Sequence, residues 1–240
     1  MASTLRIDRR FRGPPSSGNG GYVAGLLARE FDSNGCVVTL KAAPPLDQDL
    51  RVEHSPDGAS LGSGNLLIAQ ATHGDLEIAV PDPPDFAEAA EAEARFSGFR
   101  DHVFPGCFVC GPERSPSDGL RIFPGPVRAS ERHRVAASWI PDAGLAYDIG
   151  RVRSEFLWAA LDCPGYFAIE AIAGAAVLGR IGVALHDETL AGDALIVTGW
   201  PIESVGRKHV VGTALHTRER RLVAAAKATW VSIDAADWQG

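Results

Sequence analysis

Pro81-Asp82-Pro83-Pro84-Asp85-Phe86-Ala87-Glu88-Ala89-Ala90-Glu91-Ala92-Glu93-Ala94 divides this 240-residue chain. The prolines stop whatever element precedes them, because each lacks a backbone N–H and fixes its own φ. The alanines and glutamates that follow are strong helix formers. They carry few large apolar side chains, so the stretch predicts a solvated linker helix. Phe104-Pro105-Gly106-Cys107 then opens a new globular stretch. The chain is thus expected to consist of a first part (1–84), a linker with an acidic helix (85–103) and a second part (104–240), each part of ordinary domain size.

Working outward, the two parts show the same order of signals. In the first, Leu5 to Phe11 alternates like a strand, and Gly13-Pro14-Pro15-Ser16-Ser17-Gly18 is a loop. Tyr22 to Phe31 suits a helix ending near Asn34-Gly35. Strand-like runs follow at 36–42, 49–54, 65–71 and 76–80, with Pro56-Asp57-Gly58 as a hairpin turn. In the second part, 120–123 and 132–140 predict strands. Ser154 to Leu161 predicts a helix, prolonged through Pro164-Gly165 as a kinked or second segment. Strands follow at 176–185, 193–205, 208–218 and 222–233. Each part runs strand, helix, then consecutive strands. A helix followed by an antiparallel meander must bury its apolar stripe in that sheet. The fold class is therefore α+β, with a sheet wrapped around a central helix in each part. The order of elements carries this reading, since no close residue-level repeat is visible.

Composition narrows the function. Hydrophobic residues at 45% and charged residues at 22% suit a globular protein with a sizeable core. A net charge of −7 with scattered arginines gives no electrostatic case for nucleic acid. No apolar stretch reaches the roughly 18 residues of a membrane helix. Met1 to Arg6 lacks the apolar run of a signal peptide, so a cytoplasmic location is expected. Four cysteines do not suggest a disulfide scaffold. A single methionine excludes a Met-rich adaptable surface.

Several segments resemble the hotdog-fold thioesterase superfamily. Asn19-Gly20-Gly21-Tyr22-Val23-Ala24-Gly25-Leu26-Leu27 looks like the His/Asn-Gly-Gly start of that family's central helix. Cys107-Phe108-Val109-Cys110-Gly111-Pro112, with Gly119-Leu120-Arg121-Ile122, looks like the entry to a PaaI-like domain. Trp158-Ala159-Ala160-Leu161-Asp162-Cys163-Pro164-Gly165 looks like the stretch of central helix that bears the carboxylate. The segments 208–214 and 226–231 look like the closing pair of strands. The resemblance touches both halves and implies two tandem hotdog domains. It also implies hydrolysis of an acyl-CoA or another acyl thioester, with no cofactor.

Thioester hydrolysis needs a donor for the oxyanion and a base for water, or a carboxylate that attacks directly. A helix N-terminus offers unpaired N–H groups and a positive dipole end. Glycines there let a substrate approach the backbone. The resemblance makes the Gly21 N–H the oxyanion donor, with Asn19 as a neighbouring side-chain donor; the plainer reading of Asn19 is a helix cap. In the family the carboxylate often falls eight or nine residues after the glycine pair. Counting from Asn19 reaches Ala28. In the second half Asp162 matches, but nine residues before it stands Arg153-Ser154-Glu155, without a glycine pair. Each half keeps one part of the site. The expectation is one composite site, Asn19-Gly20-Gly21 facing Asp162, and one degenerate site from Ala28 and Arg153. Asp162, just before Cys163-Pro164, could equally cap a second helical segment. Gly20, Tyr22, Glu155 and Trp158 are candidate substrate contacts. Glu155, Trp158 and Asp162 share one helix face, although a tryptophan there is more often core.

Other signals are weaker. Cys107-Phe108-Val109-Cys110 is a CxxC, but structural zinc needs four ligands. Cys36 and Cys163 are isolated in sequence, and His102 is the only nearby histidine. Two half-buried thiols in a turn are expected, with no metal. Gly58-Ala59-Ser60-Leu61-Gly62 matches G-x-S-x-G without the strand-to-helix context. Gly18, Gly20 and Gly21 lack the spacing of a dinucleotide loop. Arg218-Glu219-Arg220-Arg221 suits a solvated hairpin tip. A non-catalytic acyl-thioester binder is the second reading. A hotdog hydratase ranks last, because the Asp and His spacing is missing. Two halves in one chain can supply a pair internally, so a monomeric pseudo-dimer and a homodimer are both compatible.

Overall fold

Asn19 caps the helix on which the first half is built. Its side-chain Oδ1 accepts from the Tyr22 N–H at 2.9 Å, and its carbonyl accepts from Val23. Helix α1 (Gly20–Arg29) follows, with Tyr22, Val23, Ala24 and Leu27 buried. A helix apolar on so many sides belongs inside a protein. In the computed structural model, which describes residues 3–30, 35–128 and 133–234, α1 packs on strands β2 (Gly35–Leu40), β4 (Gly58–Ser63) and β5 (Leu66–His73). Strands β1 (Ser3–Arg6) and β3 (Asp49–Ser55) complete this half. The expected helix end at Phe31 and strand start at Arg132 lie outside the described residues.

The second half has strands β6 (Gly125–Pro126), β7 (Val135–Trp139), β8 (Ala176–Leu185), β9 (Leu195–Val205), β10 (Lys208–Thr217) and β11 (Leu222–Ser232). Its helical segment is broken into α3 (Ser154–Ala160), α4 (Cys163–Phe167) and α5 (Glu170–Ala173). The eleven strands of the described residues form one sheet, in the order β1-β3-β4-β5-β2-β8-β11-β10-β9-β7-β6. The seam is the antiparallel pair β2–β8, from Gly35 opposite Ala184 to Thr39 opposite Arg180. Either side of it the order repeats in mirror image. The strand after the helix lies at the seam, then come the last, the second-last and third-last strands, then the strand before the helix. The main core runs through both halves and includes Val23, Leu27 and Val38 with Phe156, Leu161 and Leu215. Each such side chain contributes roughly 1.5–3 kcal/mol on burial.

Five local expectations differ from the structure. The strand expected from Leu5 to Phe11 ends at Arg6, and Arg9–Phe11 forms a 3-10 turn capped by Asp8, whose side chain accepts from the Arg10 N–H at 2.7 Å. Residues 76–80 and 120–123 carry no strand; the latter pair with the preceding turn instead, Leu120 N–H to Phe108 and Ile122 N–H to Val109. The stretch 58–62 is strand β4, hidden in the sequence by small residues without β-branched side chains. Position 58 requires glycine, because a Cβ there would collide with the Ala71 carbonyl oxygen. The linker helix α2 (Phe86–Glu93) is not solvated all round. Its Ala89 and Ala92 are fully buried against Ala136 and Ile196. Strand side chains alternate between faces, so Val135 and Ala137 face the main core while Ala136 meets α2. A capping box between Asp85 and Glu88 starts this helix. Glu93 fixes its end by accepting from the Ser138 N–H at 2.7 Å.

The stretch 104–123 packs on both halves. The Phe108 N–H donates to the Arg12 carbonyl at 2.8 Å, and its ring meets Phe11, Tyr22 and Phe156. No helix among the described residues is long and apolar enough to cross a membrane.

Candidate active site

The α3 helix ends at Leu161, whose carbonyl accepts from the Thr213 hydroxyl at 2.7 Å. The chain breaks at Asp162 and restarts as α4 with proline in its first turn, where a missing N–H costs nothing. The Asp162 side chain does not cap α4. It points across to the first half, where its Oδ2 accepts from Asn19 Nδ2 at 2.8 Å and from the Gly21 N–H at 3.0 Å. Asn19 therefore uses both ends of its amide: the oxygen caps α1 and the nitrogen holds Asp162. Asp162 Oδ1 is buried and has no hydrogen-bond partner among the described residues. Burial pushes the Asp162 carboxyl up to about 7, and the charge of Cys107 adds to this; the Gly21 N–H and the Asn19 amide pull the other way.

The glycines of α1 serve a helix crossing. A Cβ on Gly21 would lie 2.6 Å from the Asp162 Cβ and 2.8 Å from the Trp158 carbonyl oxygen. A Cβ on Gly25 would lie 2.7 Å from the Glu155 Cα. Helices α1 and α3 thus touch backbone to backbone, which only glycine permits. The sequence reading gave this close approach to substrate; at Gly21 it belongs to α3. Among the described residues the Gly20 N–H, first of the helix, has no partner.

A cavity of about 720 Å³ opens between the halves, and Asn19, Gly20, Asp162, Tyr166, Leu178 and Trp230 are among its walls. Tyr22, Glu155 and Trp158 do not line it. Tyr22 stacks on Phe11 with ring centroids 4.2 Å apart. Trp158 is core beside Gly25. Glu155 is 1% exposed and pairs with Arg29 at 2.9 Å and Arg153 at 3.7 Å. Glu155 and Trp158 were expected to share one helix face, with the tryptophan read as more often core; that face turns toward α1. At the end of the α1–α3 crossing away from Asp162, where a degenerate site from Ala28 and Arg153 was expected, this ion-paired cluster stands. The Arg153 guanidinium covers the Phe156 ring. Of the tip arginines, Arg221 pairs with Asp187 and Arg218 lies over Phe86.

Sequence reasoning missed one grouping. Cys107, Cys110 and Cys163 bring their sulfurs within 4.8 Å of one another, all buried. They stand on the same cavity, beside Asp162. Cys107 and Cys163 are 3.8 Å apart, and Asn19 Nδ2 lies 4.0 Å from each. Hydrogen bonds from Cys110 and Cys163 hold the Cys107 thiol well below its ordinary range. Burial pushes Cys110 up, and the bond to Cys107 pushes Cys163 up. Cys163 looked isolated because its partners lie more than fifty residues away in sequence. Its adjacency to Asp162 was the available signal, since a residue beside the site residue must lie near the site.

No family model matches the sequence, and no curated protein matches it. Solved structures do resemble it. A conserved protein with hotdog fold from Alicyclobacillus acidocaldarius superposes with a TM-score of 0.65 at 11% identity, over 97% of this chain and 93% of that one. A putative thioesterase II from Thermobifida fusca gives 0.63 at 14%, over 97% and 93%. The tesB protein of Mycobacterium avium subsp. paratuberculosis gives 0.59 at 13%, over 97% and 93%. At such identity the likeness speaks for architecture alone, and it spans the whole chain: two hotdogs in tandem, sharing one sheet.

Proposed function

We propose that this double-hotdog chain hydrolyses an acyl thioester of the acyl-CoA type at one composite site, Asn19-Gly20-Gly21 with Asp162. One observation carries the reading. A buried carboxyl from the second half is hydrogen-bonded to the N-terminus of a helix from the first, at the wall of a cavity. Two donors fix Asp162 Oδ2 and leave Oδ1 without a partner, which is the oxygen able to take a proton from water. Water then bonds to the carbonyl carbon while its proton passes to Asp162. The C=O electron pair moves onto oxygen. The carbonyl re-forms as the C–S bond breaks, and the departing thiolate takes the proton back. The Gly21 N–H is engaged by Asp162. The neighbouring Gly20 N–H is the donor free to meet the oxyanion at the positive end of the helix. Tyr166, Phe167 and Trp230 line the cavity and suit an apolar or aryl acyl group.

Asp162→Asn tests the assignment, assayed on a panel of acyl-CoAs with free-thiol detection. The amide keeps an acceptor for Asn19 and Gly21 but cannot take the proton. Hydrolysis is expected to fall at least ~100-fold with thioester binding retained. Full activity in the variant would refute the role. A specific feature favours the second reading, a non-catalytic thioester binder: Asp162 is only 1% exposed and already occupies the Gly21 donor. The same panel on the unaltered protein separates the two, since a binder would take up a thioester and hydrolyse none.

A further inference from the structure

We propose that Cys107, Cys110 and Cys163 together hold one thiophilic metal ion, zinc in the first instance, at the wall of the cavity. The three sulfurs lie within 4.8 Å of one another. Zinc–thiolate bonds of about 2.3 Å in a tetrahedron put the sulfurs roughly 3.8 Å apart. Cys107 and Cys163 already stand at 3.8 Å, so the site closes by side-chain adjustment of less than about 1 Å. A disulfide would need its sulfurs at about 2.05 Å, far inside the observed separation.

The surroundings are built for sulfur as an acceptor. The main-chain N–H groups of Val109 and Cys110 lie close enough to the Cys107 sulfur to favour its thiolate. The turn that aims them is closed by the Gly111 N–H on the Cys107 carbonyl at 2.9 Å. Gly111 has to be glycine there, because a Cβ would strike the Cys107 backbone and the Pro105 carbonyl. His102 completes the set from outside. Its Nδ1 accepts from the Phe104 N–H at 2.9 Å, which leaves the ring proton on Nε2, 3.3 Å from the Cys110 sulfur. His102 therefore donates to Cys110 and orients it, as outer partners of metal ligands do. Donors thus gather on the Cys107 and Cys110 sulfurs, and the Asn19 amide lies 4.0 Å from Cys107 and Cys163. Such donors favour the thiolate, the form that binds a cation, over the thiol. Three protein ligands leave one position of a tetrahedral ion. All three cysteines line the cavity, so a cavity molecule fills that position. Loading zinc releases the thiol protons to solvent.

The inference is independent of thioester hydrolysis, because metal content is read whether or not the chain turns over any substrate. Full-length protein is loaded with zinc in a thiol-free reductant, desalted and counted by plasma mass spectrometry. About one zinc per chain is expected, falling below about one-tenth in Cys110→Ser and Cys163→Ser and unchanged in Cys36→Ser. Less than about one-tenth of an ion in the unaltered protein would overturn the proposal, as would zinc retained in both serine variants. A Cys107–Cys163 disulfide in metal-free protein would overturn it too. Should the serine variants misfold, cobalt(II) on the unaltered chain decides. Thiolate-to-cobalt charge transfer with intense tetrahedral ligand-field bands supports the site, and their absence sinks it.

Discussion

A methyl group at position 21 would meet two atoms of the second half, the Asp162 Cβ and the Trp158 carbonyl oxygen. Neither is the loose end of a side chain. Gly21→Ala is therefore expected to push α1 off α3, costing about 1–3 kcal/mol of stability. It should also separate Asp162 from the Asn19 and Gly21 donors. Chemical denaturation reads the first effect and the thioester assay the second; an alanine variant as stable as its parent would contradict the crossing. Asn19, Gly21 and Asp162 are each marked in the sequence by a short motif, and the structure gathers them into one hydrogen-bonded cluster. What the sequence leaves hidden is who uses the glycine. Small residues announce a close approach, but a helix and a substrate leave the same mark. Glu155 and Trp158 are hidden for a related reason. Periodicity gives a face, and it does not say whether that face looks at a cavity or at another helix.

At the scale of elements, α1 and α3 are also joined by charge. Glu155 is almost fully buried and rests on Arg29. Arg29→Met removes its nearer partner and leaves Arg153 at 3.7 Å. A loss of about 3 kcal/mol is expected, the low end for an uncompensated buried charge because Arg153 remains. Glu155→Gln in the same background should restore most of it, as denaturation midpoints of the two variants would show. In β10, burial lowers His216 to about 4. The unfolded chain takes up that proton first as pH falls, since its imidazole titrates near 6.5. Stability from neutral His216 is therefore complete above about 6.5 and is lost on the way down to about 4. His216→Phe should lose less stability than its parent between pH 7 and about 4, measured by thermal melts at each pH. An equal loss would place the acid sensitivity elsewhere. Elements themselves are legible to different depths. Strands β8 to β11 are rich in Val, Leu and Ala and stand out; β4 does not, because its residues are small. The α2 helix is plain from its alanines, but its buried face is not, since alanine suits water and a sheet equally.

The whole molecule is one sheet with a mirrored strand order about β2–β8, and its core crosses that seam. The halves are expected to unfold together. All five tryptophans lie in the second half, so their fluorescence follows that half, while far-UV circular dichroism sums both. The two signals should give one midpoint in denaturant; two midpoints would mean the halves are separable. The repeated order of elements is readable from sequence. The shared sheet is not, because neither partner of the β2–β8 pair carries a signal for the other. The mirror order has one more consequence. In a dimer of identical chains a single codon change alters both ends of the central helix pair at once, so selection must judge them together. Fused in one chain, the ends are inherited separately. One end now carries Asn19, Gly21 and Asp162, the other Arg29 and Glu155, and each can change without disturbing what the other has become.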